Sequence, residues 1–434
     1  MKLLTTYGEF QKGENRSKFE QDGVYSSTNL DVHTQLGSAQ PQLALENEST
    51  TPNEACISAI LPGGDTFFFS TTSGKIWKRT AAGTYSLVHT NTQGAHKGAM
   101  SFNGTLYYAS ASKLGKQTDA LASSEASWSS QNDSFGTFTK SGAYHPMAIV
   151  GGEVCIGDGS YVAFVDSAGV FTADALDLAA EYTISALIGS GTDLLIGTII
   201  GANVSDCKVF LWDRVSPAFT LEDEVPEIGV NCFIKGDNII YAQCGTSGQI
   251  YYWSGSQLVK YKKIKGVTTT VAPYNSTLLN GKPLFAVGTK IYSLYRSDSD
   301  FPYAIVNEYT AGASITSIVA KTKDLLVSIG TAIQHIGTSY ATSIAETPEA
   351  QGKFKSVQVF YDTYPTGIAI ATQVDSVGSY TTQTPIVDTV RKVVYFDGGL
   401  GNTNTVQAKI TLTPGTIGSP AVVAYPIIKA IEIK

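Results

Sequence analysis

The sequence predicts an all-β fold: a β-propeller of about seven blades, followed by a small β-sandwich and preceded by an extended N-terminal arm. Three observations support this. Between residues 62 and 336 one unit recurs seven times, in which a Gly/Asn/Asp turn leads into an apolar strand, a tight turn and a second apolar strand. After Ala350 apolar and polar residues alternate strictly, and before residue 51 neither pattern occurs. Radial repetition of short strands separated by turn signals is typical of propellers.

Composition supports this fold class. The 434 residues are 43% apolar, enough to bury the cores of two or three units. Only 15% are charged, while there are 42 Gly and 23 Tyr, a balance typical of turn-rich β proteins. The formal net charge of −7 argues against a nucleic-acid partner, because such a protein needs a basic face to displace counterions from phosphate.

Residues 1–50 are rich in Gln, Asn, Ser, Thr and Glu and show no clear period, so we predict an arm that gains its order from another surface. Within it, residues 30–34 are expected to form one extended strand. Leu30, Val32 and His33 on that strand are candidate contacts with a partner. The first seven residues contain no apolar signal-peptide core, and no apolar run in the chain is long enough to span a bilayer. We therefore expect synthesis in a cytoplasm and no membrane insertion.

The repeated unit predicts a propeller over residues 51–350. Successive units are 39 to 48 residues apart, the length that four strands of a blade require. The residues that open the first recognisable strand of each unit are Thr66, Thr105, Glu153, Asp193, Asn238, Pro283 and Asp324. These strands are apolar on both faces, as expected when each sheet lies between two others. Seven blades fit best, with six and eight as the alternatives.

The second unit departs from the pattern. A Ser/Thr/Asn-rich stretch from Lys113 to Lys140 replaces its second strand and predicts a long loop or an irregular outer edge. Trp128 lies within this stretch among serines, so we expect it to be exposed and treat it as a candidate ligand or partner contact. Trp77, Trp212 and Trp253 occupy second strands of other units, where packing between blades is the simpler interpretation.

Residues 351–434 predict a separate β-sandwich. From Val406 to Thr413, apolar side chains alternate with Gln, Lys and Thr, and the same alternation recurs around Val357 and Ile368. Strands of this kind bury one face and leave the other in water. The last such strand, Ala430–Lys434, reaches the end of the sequence.

Residues suited to catalysis or metal binding form no recognisable motif. The five histidines have no metal-ligand spacing, and the five cysteines are odd in number and contain no C-x-x-C pair, so buried free thiols are expected. No nucleophile elbow or phosphate-binding loop is present. We predict a protein that is not an enzyme and needs no cofactor or metal. A glycan-cleaving propeller remains an alternative, because sequence alone cannot place the two carboxylates that glycosidases use.

Four segments resemble virion structural proteins of tailed bacteriophages. Residues 22–37 resemble the opening of those proteins, residues 67–78 resemble part of the propeller that follows, and residues 406–412 and 427–433 resemble the final strands of a closing β-sandwich. In layout the likeness covers nearly the whole chain. The family has no fixed active-site residues to transfer, so the resemblance implies a class of role and no mechanism.

The resemblance implies a structural virion protein, expected in the tail, that acts as a scaffold or adaptor through its arm and sandwich. Its expected partners are other virion proteins, either tail or connector subunits, and further copies of itself in a symmetric assembly. The location implied is the virion tail, after synthesis in the host cytoplasm. The alternative is a receptor- or glycan-binding module of the tail tip that serves host attachment.

Overall fold

The computed structural model describes residues 5–7, 26–32, 38–48, 52–61, 64–80, 82–118, 128–129, 132–142, 144–201, 204–236, 238–264, 267, 274–295, 304–321, 324–398, 400, 404–417 and 421–434. Within these residues the regular structure is almost entirely β. The residues group into two compact units. One, the sandwich unit, comprises Met1–Leu45, Lys290–Thr310 and Ile336–Lys434, and the other, the propeller unit, comprises Glu46–Thr289 and Ala311–His335.

The N-terminal segment contains five short strands. They are β1 (Thr5–Tyr7), β2 (Ser26–Thr28), β3 (Leu30–Asp31), β4 (Gln40–Pro41) and β5 (Leu43–Asn47). Strands β3 and β4 pair with each other, and the other three join larger sheets described below.

Seven four-stranded sheets follow and form the blades. Blade 1 is β6 (Cys56–Ile60), β7 (Thr66–Ser70), β8 (Lys75–Arg79) and β9 (Tyr85–Thr90). Blade 2 is β10 (Gly98–Phe102), β11 (Thr105–Ala109), β12 (Lys113–Thr118) and β13 (Gly136–Thr137), with a 3-10 turn at Asn132–Ser134. Blade 3 is β14 (Met147–Val150), β15 (Glu153–Asp158), β16 (Tyr161–Val165) and β17 (Phe171–Asp177). Blade 4 is β18 (Thr183–Ser190), β19 (Asp193–Ile199), β20 (Cys207–Trp212) and β21 (Leu221–Val225).

The remaining blades follow the same scheme. Blade 5 is β22 (Val230–Lys235), β23 (Ile240–Cys244), β24 (Gln249–Trp253) and β25 (Leu258–Lys263). Blade 6 is β26 (Ser276–Leu279), β27 (Lys282–Val287), β28 (Lys290–Tyr295) and β29 (Ala304–Thr310). Blade 7 is β30 (Ile315–Lys321), β31 (Asp324–Ile329) and β32 (Ala332–Tyr340), with β5 as its fourth strand. The first strands of the seven blades are neighbours in a closed ring, from β6 through β10, β14, β18, β22 and β26 to β30 and back to β6.

Strand β7 shows why the repeated apolar strand lies between two other sheets. All five of its residues are buried. Phe67 and Phe69 pack in a core cluster with Tyr108 of blade 2, whereas Phe68 packs with Leu326 of blade 7. Side chains alternate across a strand, so a strand between two sheets must be apolar on both faces. The recurring Asn-Gly pairs form the turns before these strands, with positive φ at both residues, for example 47° at Asn103 and 70° at Gly104.

The strands recognised from the sequence are the second and third of each blade except blade 2, and the fold class is confirmed as an all-β propeller with a sandwich. In blade 2 the prediction of a loop or irregular edge from Lys113 was wrong, because Lys113–Thr118 forms the regular strand β12, which pairs with β11. The predicted arm boundary at residue 50 differs from the structure, because β5 is the outer strand of blade 7. Glu48 donates its backbone N–H to the carbonyl oxygen of Ile333 at 3.0 Å, and Gln334 donates from Nε2 to Oδ1 of Asn47 at 3.0 Å. The side chain of Glu48 also forms a buried ion pair with Arg79 of blade 1. The propeller ring is thus closed by a strand from the N-terminal segment.

The C-terminal part of the chain contains the remaining strands. They are β33 (Ser343–Glu346), β34 (Ala350–Gln351), β35 (Ser356–Thr363), β36 (Ile368–Val374), β37 (Thr381–Thr382), β38 (Ile386–Asp388), β39 (Val393–Asp397), β40 (Thr405–Leu412), β41 (Gly415–Ile417), β42 (Val422–Ala424) and β43 (Ile427–Ile433), with a 3-10 turn at Pro365–Gly367 between β35 and β36. One sheet has the order β1-β43-β35-β39-β38. The second has the order β2-β33-β40-β36-β37, with β34 also paired to β40, and β41 and β42 form a separate hairpin.

The sandwich begins before the predicted boundary at residue 351 and includes strands from the predicted arm. Strand β1 pairs with β43, Thr5 opposite Ile433, and β2 pairs with β33, Ser26 opposite Glu346. The predicted alternation on β40 is present, since Val406, Ala408, Ile410 and Leu412 are all fully buried. Strands β1 and β2 therefore gain their order from the sandwich of the same chain.

Candidate functional site

A cavity of the propeller unit has a volume of about 1020 Å³ and lies on the axis of the blade ring. Every blade contributes residues of its first strand to the wall. They include Ser58, Met100, Ile149, Ile188, Lys235, Leu278 and Val319. Propellers and barrels commonly bind ligands in such a central concavity, so this cavity is the candidate site.

The wall of this cavity presents slightly more polar than apolar surface and is partly open to solvent. Ile149 is 47% exposed and Leu278 41% exposed, although both lie on inner strands of the fold. Lys235 is the only residue with a charged side chain among the described residues that line the cavity, and none of them is His, Asp or Glu. The described part of the chain also contains no group of three His, Cys, Asp or Glu residues placed to hold a metal ion. The cavity wall thus offers mixed polar and apolar surface and one cation, and no acid–base pair.

Tyr274 lies at one end of the cavity. Its hydroxyl is 2.9 Å from the carbonyl oxygen of Lys97 and also within hydrogen-bonding distance of that of His145, so it donates to one of them at a time. Burial raises the pKa of Tyr274 well above its ordinary value, which keeps it a neutral donor. Lys97 and His145 precede the first strands of blades 2 and 3, whereas Lys235 ends that of blade 5. Each blade has four strands that alternate in direction, so the first strands of all blades run in the same direction along the ring axis. Tyr274 and Lys235 therefore lie at opposite ends of the cavity.

Hydroxyl groups connect neighbouring first strands around this cavity. Ser317 Oγ donates to the carbonyl oxygen of Cys56 at 2.8 Å, Ser276 Oγ to that of Phe233 at 2.8 Å, and Ser185 Oγ to that of Val230 at 2.6 Å. Ser101 makes the corresponding contact with the carbonyl of Ile60, and Thr277 Oγ1 accepts from the backbone N–H of Ala320 at 3.0 Å. The wall is therefore held by hydrogen bonds between blades as well as by apolar packing.

A second polar cluster is buried between blades 1 and 2. The carboxylate of Asp133 has no exposed surface, and it accepts hydrogen bonds from Tyr108 OH at 3.0 Å and from the backbone N–H of Thr92 at 2.8 Å. His89 Nε2 lies 2.8 Å from the same carboxylate. Burial alone would raise the pKa of Asp133, but the bonds from His89 and Thr92 outweigh it and hold that pKa below its ordinary value. With its oxygens fully used inside the protein, this carboxylate stabilises the blade junction.

His96 is fully buried next to this cluster. Its Nδ1 lies 3.0 Å from the carbonyl oxygen of Ser70, and its Nε2 lies 3.3 Å from Nδ2 of Asn91. Because a carbonyl can only accept, Nδ1 carries the proton, and Nε2 accepts from the amide of Asn91. Burial lowers the pKa of His96 to about 4, against smaller opposing effects of the Ser70 carbonyl and Asp133. The ring is thus a neutral structural group at physiological pH.

The structure buries three of the four residues proposed from the sequence as contacts. Trp128 is only 8% exposed and stacks on His89, with ring centroids 5.2 Å apart, so the prediction of an exposed tryptophan was wrong. The indole joins the core cluster of Phe67 and Tyr108. Its serine-rich neighbours gave no sign of this long-range packing.

Leu30 and Val32 are fully buried in the core of the sandwich, so neither presents a surface to a partner. His33 lies outside the described residues.

The sequence analysis did not identify the residues that line the cavity, although their positions in the repeated unit are regular. Each of the seven wall residues named above lies one to five residues before the turn that opens a unit, as Ile149 does before Gly151–Gly152.

The cysteine prediction is confirmed. All five cysteines are buried and free. Burial raises the pKa of Cys155 to about 12, which suppresses the reactive thiolate. No helix in the described part of the chain has the length and hydropathy of a membrane span.

No protein-family model matches this chain, and no curated protein matches it in sequence. Among solved structures, it is similar to catalytically inactive virginiamycin B lyase from Staphylococcus aureus with quinupristin, with a TM-score of 0.51 and 11% identity over 69% of this chain and 99% of that one. It is also similar to selenomethionine-substituted virginiamycin B lyase from the same organism, with a TM-score of 0.50 and 11% identity over 68% and 98% of the two chains. At this identity the similarity establishes the fold alone: the chain contains a β-propeller.

Proposed function

We propose that this chain is a structural component of a tailed-bacteriophage virion, located in the tail, where it serves as a scaffold or adaptor. The observation that carries the proposal is a pair of apolar elements in the sandwich unit, the edge strand β38 and the β41–β42 hairpin, together called the ribbons. Each has exposed aliphatic side chains on both of its faces. The resemblance of residues 22–37, 67–78, 406–412 and 427–433 to tail proteins supports the choice of assembly.

Strand β38 is the free edge of its five-stranded sheet. Ile386 is 53% exposed and Val387 is 41% exposed, and successive residues of a strand point to opposite faces. Val390, just after the strand, is 93% exposed. An edge strand has a row of unpaired N–H and C=O groups, and proteins usually protect such edges with charges. Residues 381–387 contain no charged residue. This edge is therefore suited to pairing with another strand.

The β41–β42 hairpin has the same character. Ile417 is 56% exposed, and Val422 and Val423 on the opposing strand are 60% and 58% exposed. No charged residue occurs between Gly415 and Ala424. A two-stranded ribbon gains little stability by itself in water, so exposed aliphatic residues on both faces favour coverage by a neighbour.

We assign a second copy of this chain as the neighbour of these ribbons. Each copy carries both an edge strand and a hairpin with exposed aliphatic residues. The hairpin sequence from Gly415 to Ala424 contains no charged residue, and the acid of β38, Asp388, is paired with Arg391 of the same chain. Non-enzymatic function is part of the proposal. The alternative, a receptor- or glycan-binding module of the tail tip, loses Trp128 as a candidate contact, because that side chain is buried.

Mass spectrometry of purified virions tests the proposal. The chain should be present at a fixed copy number relative to the other tail proteins, and its absence from intact particles would refute a virion role. The contact between copies is tested separately with two variants, Val387→Lys on the edge and Val422→Lys on the hairpin. Each variant should reduce self-association in light scattering. Association unchanged in both variants would contradict the assignment of the ribbons.

A further inference from the structure

Turns of three consecutive blades border the end of the central cavity at which Lys235 lies. Gly151 belongs to the turn after the first strand of blade 3, Gly191 to that of blade 4 and Gly236 to that of blade 5. Gly255, in the turn between the third and fourth strands of blade 5, lines the cavity as well. Because strands of a blade alternate in direction, all these turns lie at the same end. Turns present main-chain N–H and C=O groups, so this end, the mouth, contributes polar surface to the cavity.

Three polar side chains that border the mouth, those of Ser190, Lys235 and Asn238, make no hydrogen bond or ion pair with any other described residue. Lys235 and Asn238 are exposed, and Ser190 is half-buried. By contrast, Ser276 in the wall of the same cavity already donates to the carbonyl oxygen of Phe233. A cation, an amide and a hydroxyl can therefore bind a ligand here without breaking an existing contact.

The same cavity offers limited aliphatic surface and no open aromatic face at the mouth among the described residues. Ile149 and Leu278 are its most exposed aliphatic side chains. The aromatic residues that line it are Phe233 and Trp253, which are buried, and Tyr274 at the opposite end. A nucleobase would need an aromatic platform for stacking. The wall therefore favours a ligand that presents both C–H and polar groups and does not depend on stacking.

The polar groups at the mouth narrow the ligand class. A phosphate monoester would bring about two negative charges to one lysine. A hydrocarbon would cover Ser190 and Asn238 without bonding to them. A peptide needs an acceptor for each of its N–H groups, whereas a sugar hydroxyl both donates and accepts and so pairs with an amide or a hydroxyl. The volume of about 1020 Å³ lies at the upper end of ordinary ligand sites and has room for more than one sugar ring.

We propose that the mouth of this cavity binds an acidic sugar, a hexuronate residue alone or in a short chain. The carboxylate pairs with Lys235, ring hydroxyls bond to Ser190 and Asn238, and a C–H face of the ring contacts Ile149 and Leu278. This site is independent of the virion role: either can fail without the other, because the ribbons lie in the sandwich unit and the cavity lies in the propeller unit.

Titration calorimetry of the full chain with trigalacturonate and with the neutral α-1,4-galactotriose tests the proposal. We expect one site per chain, and an affinity for the acid that is about tenfold or more higher, the range of a hydrogen bond to a charged group. No binding of trigalacturonate, or equal binding of the two trisaccharides, would overturn the proposal. Triglutamate is the peptide arm, and binding as tight as that of trigalacturonate would refute the sugar class.

Galacturonate itself distinguishes a free sugar acid from a polysaccharide. An affinity equal to that of the trimer supports a free sugar acid as the ligand. A tighter trimer supports a polysaccharide whose neighbouring rings also contact the wall. Both results support a hexuronate at the mouth.

Three variants locate the ligand, each with an unchanged far-ultraviolet circular dichroism spectrum as the fold control. Lys235→Gln should weaken trigalacturonate about tenfold or more and leave galactotriose unchanged. The matched control is Lys263→Gln, at an exposed position on β25 outside the cavity, which should change neither affinity. Asn238→Ala should weaken both trisaccharides about fivefold, the range of a neutral hydrogen bond. Trigalacturonate affinity that is unchanged in Lys235→Gln, or that falls equally in Lys263→Gln, would overturn the proposed site.

Discussion

Burial of His96 should make the protein lose stability as pH falls from 7 to 5. In the folded state burial lowers the pKa of His96 to about 4, so the ring resists protonation. In the unfolded chain the same ring takes up a proton near its ordinary pKa of 6.5. In this window the unfolded state binds more protons, so stability rises with pH and is lost on acidification. The perturbation is the pH change in the wild-type protein and in His96→Gln.

The magnitude follows from these two pKa values. Proton linkage gives a loss of about 2 kcal/mol between pH 7 and pH 5, and of about 3 kcal/mol once the pH is below 4. Asp133 acts in a different window. Its pKa lies below the ordinary value in the folded state, so its contribution is present above about pH 4 and is lost only at lower pH. The interval from pH 7 to pH 5 therefore isolates His96 from Asp133.

Urea unfolding at pH 5, 6 and 7 measures the effect. His96→Gln should be less stable at pH 7, because the ring packs against Phe69 and Tyr108, but its free energy of unfolding should vary about 2 kcal/mol less over the interval. Parallel pH profiles for the wild type and His96→Gln would refute the reasoning.

Three further substitutions test the packing of the propeller unit. Glu48→Ala should lower the free energy of unfolding by about 3 kcal/mol, because it leaves the buried guanidinium of Arg79 unpaired. The control Glu222→Ala, which breaks an exposed pair with Lys208, should change that free energy by less than about 1 kcal/mol. Equal effects of the two variants in urea melts would contradict this difference. Ser317→Ala should cost about 1 kcal/mol in the same measurement, because it removes the hydroxyl bond between blades 7 and 1; a stability equal to wild type would show that this bond contributes nothing. Trp128→Ala should cost about 3 kcal/mol in the same measurement, because the indole packs in the core cluster of Phe67 and Tyr108; a stability equal to wild type would contradict this packing role.

The propeller could be predicted because its local signals agree with one another. The Asn103–Gly104 pair fixes a tight turn at positive φ, and the apolar strand after it is buried on both faces. The alternation on β40 likewise predicted a half-buried sandwich strand, because a period of two allows one face to be covered. Each of these features depends on neighbours in the sequence, so the sequence alone displays it.

Features that depend on distant segments could not be predicted in this way. Strand β5 has no repeat pattern, and its pairing with blade 7 depends on residues far along the chain. Trp128 was misjudged for the same reason, because the histidine that covers it belongs to another blade. Residues from all seven blades form the wall of the cavity, so no single segment of the sequence shows the composition of that wall. Only the closed ring brings Lys235 and Ile149 to the same space.

Closure of blade 7 by β5 also sets the order in which the chain can complete its fold during synthesis. Asn47 leaves the ribosome 287 residues before its partner Gln334. At a synthesis rate of about 5–20 residues per second, β5 waits roughly 15 to 60 seconds for a strand to pair with. Blades 1 to 5 can form during this interval, since each is continuous in sequence, but the ring stays open. Closure of the propeller therefore joins an early segment to a late one, when translation of the propeller is already finished.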